Sequence, residues 1–197
     1  MPSFIVTANS SEDVSKALIF ANNHSLGVAV MATGHGMQDR NAGPGPNSLL
    51  IRTTCFRNFT AFPNDNITGY NNTPWIEGYA TVGAGLTFGK NYWYNVKNSE
   101  GLYPLAKNVS REIVGGTCHT VGIVGWMLGA GKGWTTPMYG LGVDNLLHVD
   151  LVMANGTNTS ASYTHNKELF KAIRGGGPGF GVVTSLKIKL HTPVCGI

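Results

Sequence analysis

Apolar side chains fall into short blocks separated by stretches rich in glycine and asparagine. Residues 4–7 (FIVT) form the first block. Ser10, with Asp13 three positions on, then has the form of a capping box that opens a helix. Val14, Ala17, Leu18 and Ala21 recur at helical spacing, which predicts an amphipathic helix over 11–22. Residues 28–32 (VAVMA) are β-branched and alanine-rich and predict a buried strand. Strand, helix and strand in that order make a βαβ unit. Its loop (ATGHGMQDRNAG, 32–43) leaves the strand's carboxyl end, where ligands bind in α/β folds.

Further along, 48–52 and 79–82 predict strands, and 58–74, with its prolines and asparagines, predicts an exposed connection. Residues 86–96, carrying Phe88, Tyr92 and Trp93, predict a helix. LLHVDLVM at 146–153 alternates in part and ends at Asn155-Gly156, a hairpin signal. A short helix over 166–174 and a cleanly alternating strand over 182–190 complete the pattern, with no internal repeat. The mix is α+β, and 197 residues suffice for one domain or for two small subdomains sharing a core.

Composition narrows the function classes. Only 12% of residues are charged while 27 are glycine, which describes a loop-rich, tightly turning chain. The net charge of +4 and pI near 9.0 come without a Lys/Arg cluster, which argues against nucleic acid as a partner. No apolar run is long enough to span a bilayer, and the first residues lack the basic and apolar regions of a signal peptide. Against that stand eight N-x-[ST] triplets, at Asn9, Asn23, Asn58, Asn66, Asn71, Asn108, Asn155 and Asn158. Their density predicts a secreted, extracellular glycoprotein whose signal and first residues precede Met1. The alternative is chance in a chain rich in Asn, Ser and Thr.

Two stretches carry candidate chemistry. Residues 113–134 (IVGGTCHTVGIVGWMLGAGKGW) set Cys118 among glycines, as suits a loop where backbone approaches a large ligand. His35, between Gly34 and Gly36, repeats the arrangement, so the two loops are expected to be two sides of one site. GAGKG at 129–133 is not a phosphate-binding P-loop, because Trp126 stands where its first glycine belongs and Gly133 replaces the Ser/Thr. RGGGPGFG at 174–181 follows a predicted helix instead of opening one, so it is not a dinucleotide fingerprint. What remains is a ligand cradled by backbone amides, which in turns form an anion-binding concavity suited to a pyrophosphate. Taken alone, spacing favours His35 as a loop histidine bonded to backbone and Cys118 as a buried inert thiol. Three cysteines form no C-x-x-C pattern, so no metal site is expected. Cys55 and Cys195 either pair or are each simply buried.

Six ordered blocks run through nearly the whole chain: FIVTANSSEDVSKAL, TGHGMQDRNAG, YATVGAG, VGGTCHTVGIVGWMLGAGKGW, YGLGVDNLLHVDLVMANG and ELFKAIRGGGPGFGVVTSLKIKL. In them the sequence resembles the flavin-linked oxidases with a PCMH-type FAD-binding domain, the vanillyl-alcohol oxidase or berberine-bridge-enzyme-like family, and within it the secreted fungal branch. The resemblance implies an α+β fold of two subdomains, about 1–60 and about 75–193, with FAD between them. It implies a bicovalent FAD, with His35 joined to the flavin 8α methyl and Cys118 to flavin C6. Thr33, Gly34, His35, Gly36 and Met37 would supply amides around the pyrophosphate. Thr120, Val121, Gly122 and Gly125 would line the flavin from the other side. Tyr139, Gly140 and Asp144 fall in the family's Y-G-x-x-x-D block close to the cofactor, and Gly181, Val182 and Val183 would approach the adenine.

The chain departs from the pattern at Gly36, where aspartate or serine is usual, and at GAGKG, where the family has G-G-G-H-G; Lys132 there is expected to face solvent. The substrate domain that usually follows, and with it the catalytic base, is missing from the sequence, so an FAD-binding module incomplete for catalysis is expected. The implied reaction moves hydride from an alcohol- or amine-type small molecule to flavin, with dioxygen as acceptor. A non-catalytic extracellular binding module is the rival. A hydrolase using Cys118 with His119 or His35 is weaker still, because adjacent residues cannot easily face each other.

Overall fold

In the computed structural model the described residues are 1–36, 45–89 and 101–194. Strand β1 (Phe4–Thr7) leads into helix α1 (Ser11–Asn23), whose start is fixed by the anticipated capping box. Ser10 Oγ accepts from the Asp13 amide at 3.1 Å, while Asp13 Oδ2 accepts from the amides of Asn9 and Ser10 at 2.9 and 3.0 Å. Those donors favour the ionised carboxylate and hold the Asp13 carboxyl below its usual range. Strands β2 (Gly27–Met31) and β3 (Ser48–Arg52) follow. The βαβ unit is present, but β3 lies between its two strands, all three parallel in the order β1-β3-β2. Val14, Ala17, Leu18 and Ala21 of α1 bury against Leu49 and Ile51 of β3.

The larger sheet is antiparallel throughout, in the order β4-β7-β10-β8-β9. Its strands are β4 (Phe59–Phe62), β7 (Tyr79–Gly83), β8 (Leu146–Val152), β9 (Asn158–Ser162) and β10 (Val182–Lys189); β5 (Ile67–Thr68) and β6 (Pro74–Trp75) form a separate small ribbon. The β8–β9 hairpin turns at Asn155-Gly156 as expected, with Asn155 Oδ1 accepting from the Thr157 amide at 3.0 Å. Helices α2 (Leu102–Asn108), α3 (Ile123–Leu128), α4 (Thr136–Tyr139) and α5 (Lys167–Gly176) complete the unit. Ala80, Val82, Val149, Leu151, Leu186 and Ile188 share one core with Phe88, Met127 and Phe170.

Three expectations fail. Strand β2 forms but is not buried, because it lies at the sheet edge with Val28 and Val30 exposed and only Ala29 buried. The stretch 58–74 is not plain connection: Phe59, Thr60, Ala61 and Phe62 pair with β7, and Phe62 stacks on Tyr79 at 4.8 Å. The prolines and asparagines there punctuate turns between short strands. Nor is 86–89 helical. Thr87 bridges to Gly122, and Phe88 is fully buried; the rest of the expected helix, including Tyr92 and Trp93, lies outside the described residues.

The sheets dock through α1. Val152 of β8 and Val182 of β10 bury in the cluster beneath that helix. Ser15 Oγ donates to the Gly156 carbonyl at 2.6 Å, and Asn22 Nδ2 to that of Ala154 at 2.7 Å.

Candidate functional site

The chain leaves β2 through Ala32 and Thr33 into a turn that Gly34 makes possible, since its φ of +80° is strained for residues with a side chain. His35 and Gly36 are exposed just beyond it. Facing them is the loop that carries Cys118. Its first residues are pinned: Gly115 and Gly116 pack under the Phe88 ring, and Tyr103 Oη donates to the Gly116 carbonyl at 2.8 Å. From the other side the backbone at Gly133 presses on the Gly115 carbonyl so closely that any Cβ would overlap it. Thr117, Cys118 and His119 are thereby left exposed.

The loop closes with the Val121 amide donating to the Cys118 carbonyl at 3.2 Å and the Ile123 amide to that of Leu86 at 3.0 Å. It reaches across to the smaller sheet's loop, where the Gly122 amide donates to Thr33 Oγ1 at 3.0 Å. That contact sets Thr120 Oγ1 2.8 Å from His35 Nε2 and 3.5 Å from Cys118 Sγ. The two residues singled out from sequence are thus joined through one hydroxyl. The Thr120 side chain is the main cause of a Cys118 thiol pKa below the ordinary value, and the Thr120 and Val121 amides add to it. Cys118 is an exposed thiol biased toward thiolate, not the buried inert one.

Gly125, on α3, is exposed, and among the described residues no atom outside its own helix backbone and chain neighbours stands within 4 Å of where a Cβ would lie. An accessible thiol, an accessible imidazole and open glycine backbone thus lie on one side of the protein. Among the described residues no cluster suits a metal, and no helix is long and apolar enough to cross a membrane. The hydrolase arrangement is not formed: Thr120 stands between Cys118 and His35, and no hydrogen bond joins Cys118 to His119 among the described residues.

The remaining sequence-derived residues lie elsewhere in the same framework. Tyr139 stacks on His191 at 4.0 Å and donates to the Thr192 carbonyl at 3.4 Å, so its ring is held at the end of β10. Asp144 Oδ2 accepts from the Leu141 amide at 3.0 Å, and Oδ1 lies 3.5 Å from Arg174 Nη2. Gly140, between them, turns at positive φ. Val182 and Val183 are buried, leaving only backbone to meet a ligand, and Gly181 is half-buried. Lys132 is exposed, as expected. Met37 and Cys195 lie outside the described residues, and Cys55 is an exposed free thiol. The linking role of Thr120 and the His191 cluster under Tyr139 were missed from sequence, because both depend on contacts between distant segments.

The profile of a family described as an FAD binding domain matches residues 2–162. Among curated proteins, the chain is similar to the VAO-type flavoprotein oxidase VAO615 of Thermothelomyces thermophilus, 34% identical over 199 residues that cover 96% of this chain and 30% of that protein. The chain thus spans less than a third of that relative's length. Among solved structures, the VAO-type flavoprotein MtVAO615 from Myceliophthora thermophila aligns with a TM-score of 0.83 and 31% identity, over 96% of this chain and 32% of that one. The glucooligosaccharide oxidase of Acremonium strictum, described with a 6-S-cysteinyl, 8α-N1-histidyl FAD, aligns with a TM-score of 0.76 and 25% identity, over 96% and 35%.

Proposed function

The chain belongs to the FAD-binding domain family, and on that premise we propose that it is the cofactor-holding part of a flavin-dependent oxidase in which His35 and Cys118 both bond to FAD. The observation that carries this reading is the shared contact of an exposed imidazole and an exposed, acid-shifted thiol with Thr120. The glucooligosaccharide oxidase, whose flavin is described with one cysteinyl and one histidyl bond, supports it. Bound FAD supplies a two-electron acceptor that takes hydride from an alcohol- or amine-type small molecule and passes electrons to dioxygen. The residues of this chain bind and orient it. Thr33, Gly34 and Gly36 offer their loop at the end of β2, Thr120 and Gly122 form the facing wall, and Gly125 leaves room beside it. Turnover is proposed for the protein as a whole, since relatives of this kind are about three times as long.

We also propose passage through the secretory pathway with N-linked glycans, because all eight N-x-[ST] asparagines are exposed. The test of both is the protein isolated from a secreting eukaryotic host, deglycosylated and then denatured in acid. Yellow colour that stays with the polypeptide, together with a mass gain of one FAD, is expected. Replacing either His35 or Cys118 with alanine should leave one bond, and replacing both should make the flavin dialysable. A double variant that kept its flavin through denaturation would refute the attachment sites, and an unchanged mass on deglycosylation would refute the glycans.

A further inference from the structure

We infer that Thr120 is a positioning residue that prepares both attachment nucleophiles at once, fixing which nitrogen of His35 is free to bond and donating its proton to the Cys118 sulfur. The inference rests on the covalent reading above and assigns a role to a third side chain within it. A hydroxyl has one proton to give and two lone pairs to offer. With His35 Nε2 at 2.8 Å and Cys118 Sγ at 3.5 Å, that proton can go only one way at a time.

If the hydroxyl donated to Nε2, the ring proton would sit on Nδ1, which would then have no lone pair for bonding, and the sulfur would have to remain a donating thiol. In the opposite arrangement His35 Nε2–H donates to Oγ1 and Oγ1–H donates to sulfur. Nδ1 then carries the free lone pair and the sulfur is held as thiolate, so both residues are reactive together. Charge-assisted hydrogen bonds are the stronger kind, which favours this second arrangement. The backbone amides of Thr120 and Val121 stabilise the same thiolate, and the depressed Cys118 pKa has these groups as its causes. The contact to Thr120 is made by Nε2, which leaves Nδ1 as the ring nitrogen not engaged by that hydroxyl.

On attachment, His35 Nδ1 would bond to the 8α carbon with loss of a methyl proton and the Nε2 proton, and the flavin would take up the electron pair with two protons. Cys118 sulfur would bond to C6 with loss of the C6 proton, the flavin again taking up the electron pair and two protons. Dioxygen would reoxidise the flavin after each bond and leave as hydrogen peroxide. Thr120 supplies no electrons in either step; it sets the tautomer and the thiolate.

The first test needs no flavin. Alkylation of Cys118 by iodoacetamide is followed across pH in the flavin-free 197-residue chain, read on the Cys118 peptide so that Cys55 does not interfere. Thr120→Val should slow alkylation at neutral pH by about three- to tenfold, the effect of one ordinary hydrogen bond, and move the profile to higher pH. Thr120→Ser should restore both. A Thr120→Val profile equal to the parent's, in a protein folded by circular dichroism, would overturn the inference, as would failure of serine to rescue. The second test adds FAD and follows attachment by intact mass. Thr120→Val should slow bonding at both residues and Thr120→Ser should recover it; slowing at Cys118 alone would overturn the role toward His35. If the thiol profile shifts as expected but no variant, parent included, ever gains FAD mass, the covalent reading fails while the link from Thr120 to the thiol stands.

Discussion

Acid should destabilise this protein through His191. That side chain is buried just past β10, between the Tyr139 ring stacked at 4.0 Å and the edge of Trp75 at 5.1 Å. Its backbone pairs with Glu112 in both directions. Asn145 Nδ2 donates to the Tyr139 and Leu141 carbonyls at 3.0 and 2.8 Å, so Asn145 turns its oxygen toward His191. Nε2 of His191, 2.6 Å away, must then be the protonated nitrogen of a neutral ring. Burial pushes its pKa from 6.5 down to about 4, with Lys189 adding to the fall and Glu77 opposing it.

A folded pKa below the unfolded one means that the unfolded chain binds more protons between about pH 6.5 and 4. Stability is therefore fully present above pH 6.5 and is lost as the pH falls toward 4. A gap of about 2.5 units at 1.36 kcal/mol each puts the loss at about 3 kcal/mol. Urea unfolding of the parent and His191→Gln from pH 7 to pH 4 measures it, because glutamine still donates to Asn145 but does not titrate. The parent should lose about 3 kcal/mol more than the variant across that interval. Carboxylates such as Glu77 titrate in both and largely cancel. A difference between the two proteins that does not change with pH would refute the reasoning.

Gly133→Ala should destabilise severely or prevent soluble expression, because its Cβ would overlap the Gly115 carbonyl and neither strand of backbone can yield without moving the Cys118 loop. A melting temperature within 2 °C of the parent would show that the loop is free to shift. If both flavin bonds form, they tie residues 35 and 118 into a closed loop of about 80 residues, for which chain entropy gives about 4.5 kcal/mol at most. Flavinylated parent should therefore outlast flavinylated Cys118→Ala in urea by that order, and equal midpoints would mean that unfolding does not separate the two loops.

The elements legible in the sequence were those whose signals are local. Ser10 with Asp13 announced α1, and Val14, Ala17, Leu18 and Ala21 named its buried face, because a helix repeats over residues close in the chain. Alternation over 182–190 marked β10, whose one face joins the main core. Strand β4 escaped because its four residues sit beside Pro63 and Asn64, and so short an alternation carries little weight against such turn formers. Leu86 and Phe88 misled in the other direction. Both are fully buried in a segment that crosses the core, so apolar residues there follow burial on all sides and not the period of a helix.

The site was legible to a different depth. Glycines flanking His35 and Cys118 marked both loops, since close backbone approach leaves its trace in residue type at the position itself. The meeting of the loops left none. His35 and Thr120 are 85 positions apart, one beyond β2 of the smaller sheet and the other between α2 and α3 beside the larger sheet, and their contact exists only because the two sheets dock. The docking is held near the site by the Gly122 amide on Thr33, and at the far side by Val152 and Val182 under α1 with Ser15 and Asn22 bonded to the β8–β9 turn. Separating the sheets would pull the imidazole from the hydroxyl, while Thr120 would stay beside Cys118 in its own loop. On the proposed attachment, His35 and Cys118 would share the Thr120 hydroxyl only in the folded chain, and a cofactor bonded at both would report that the sheets have docked correctly.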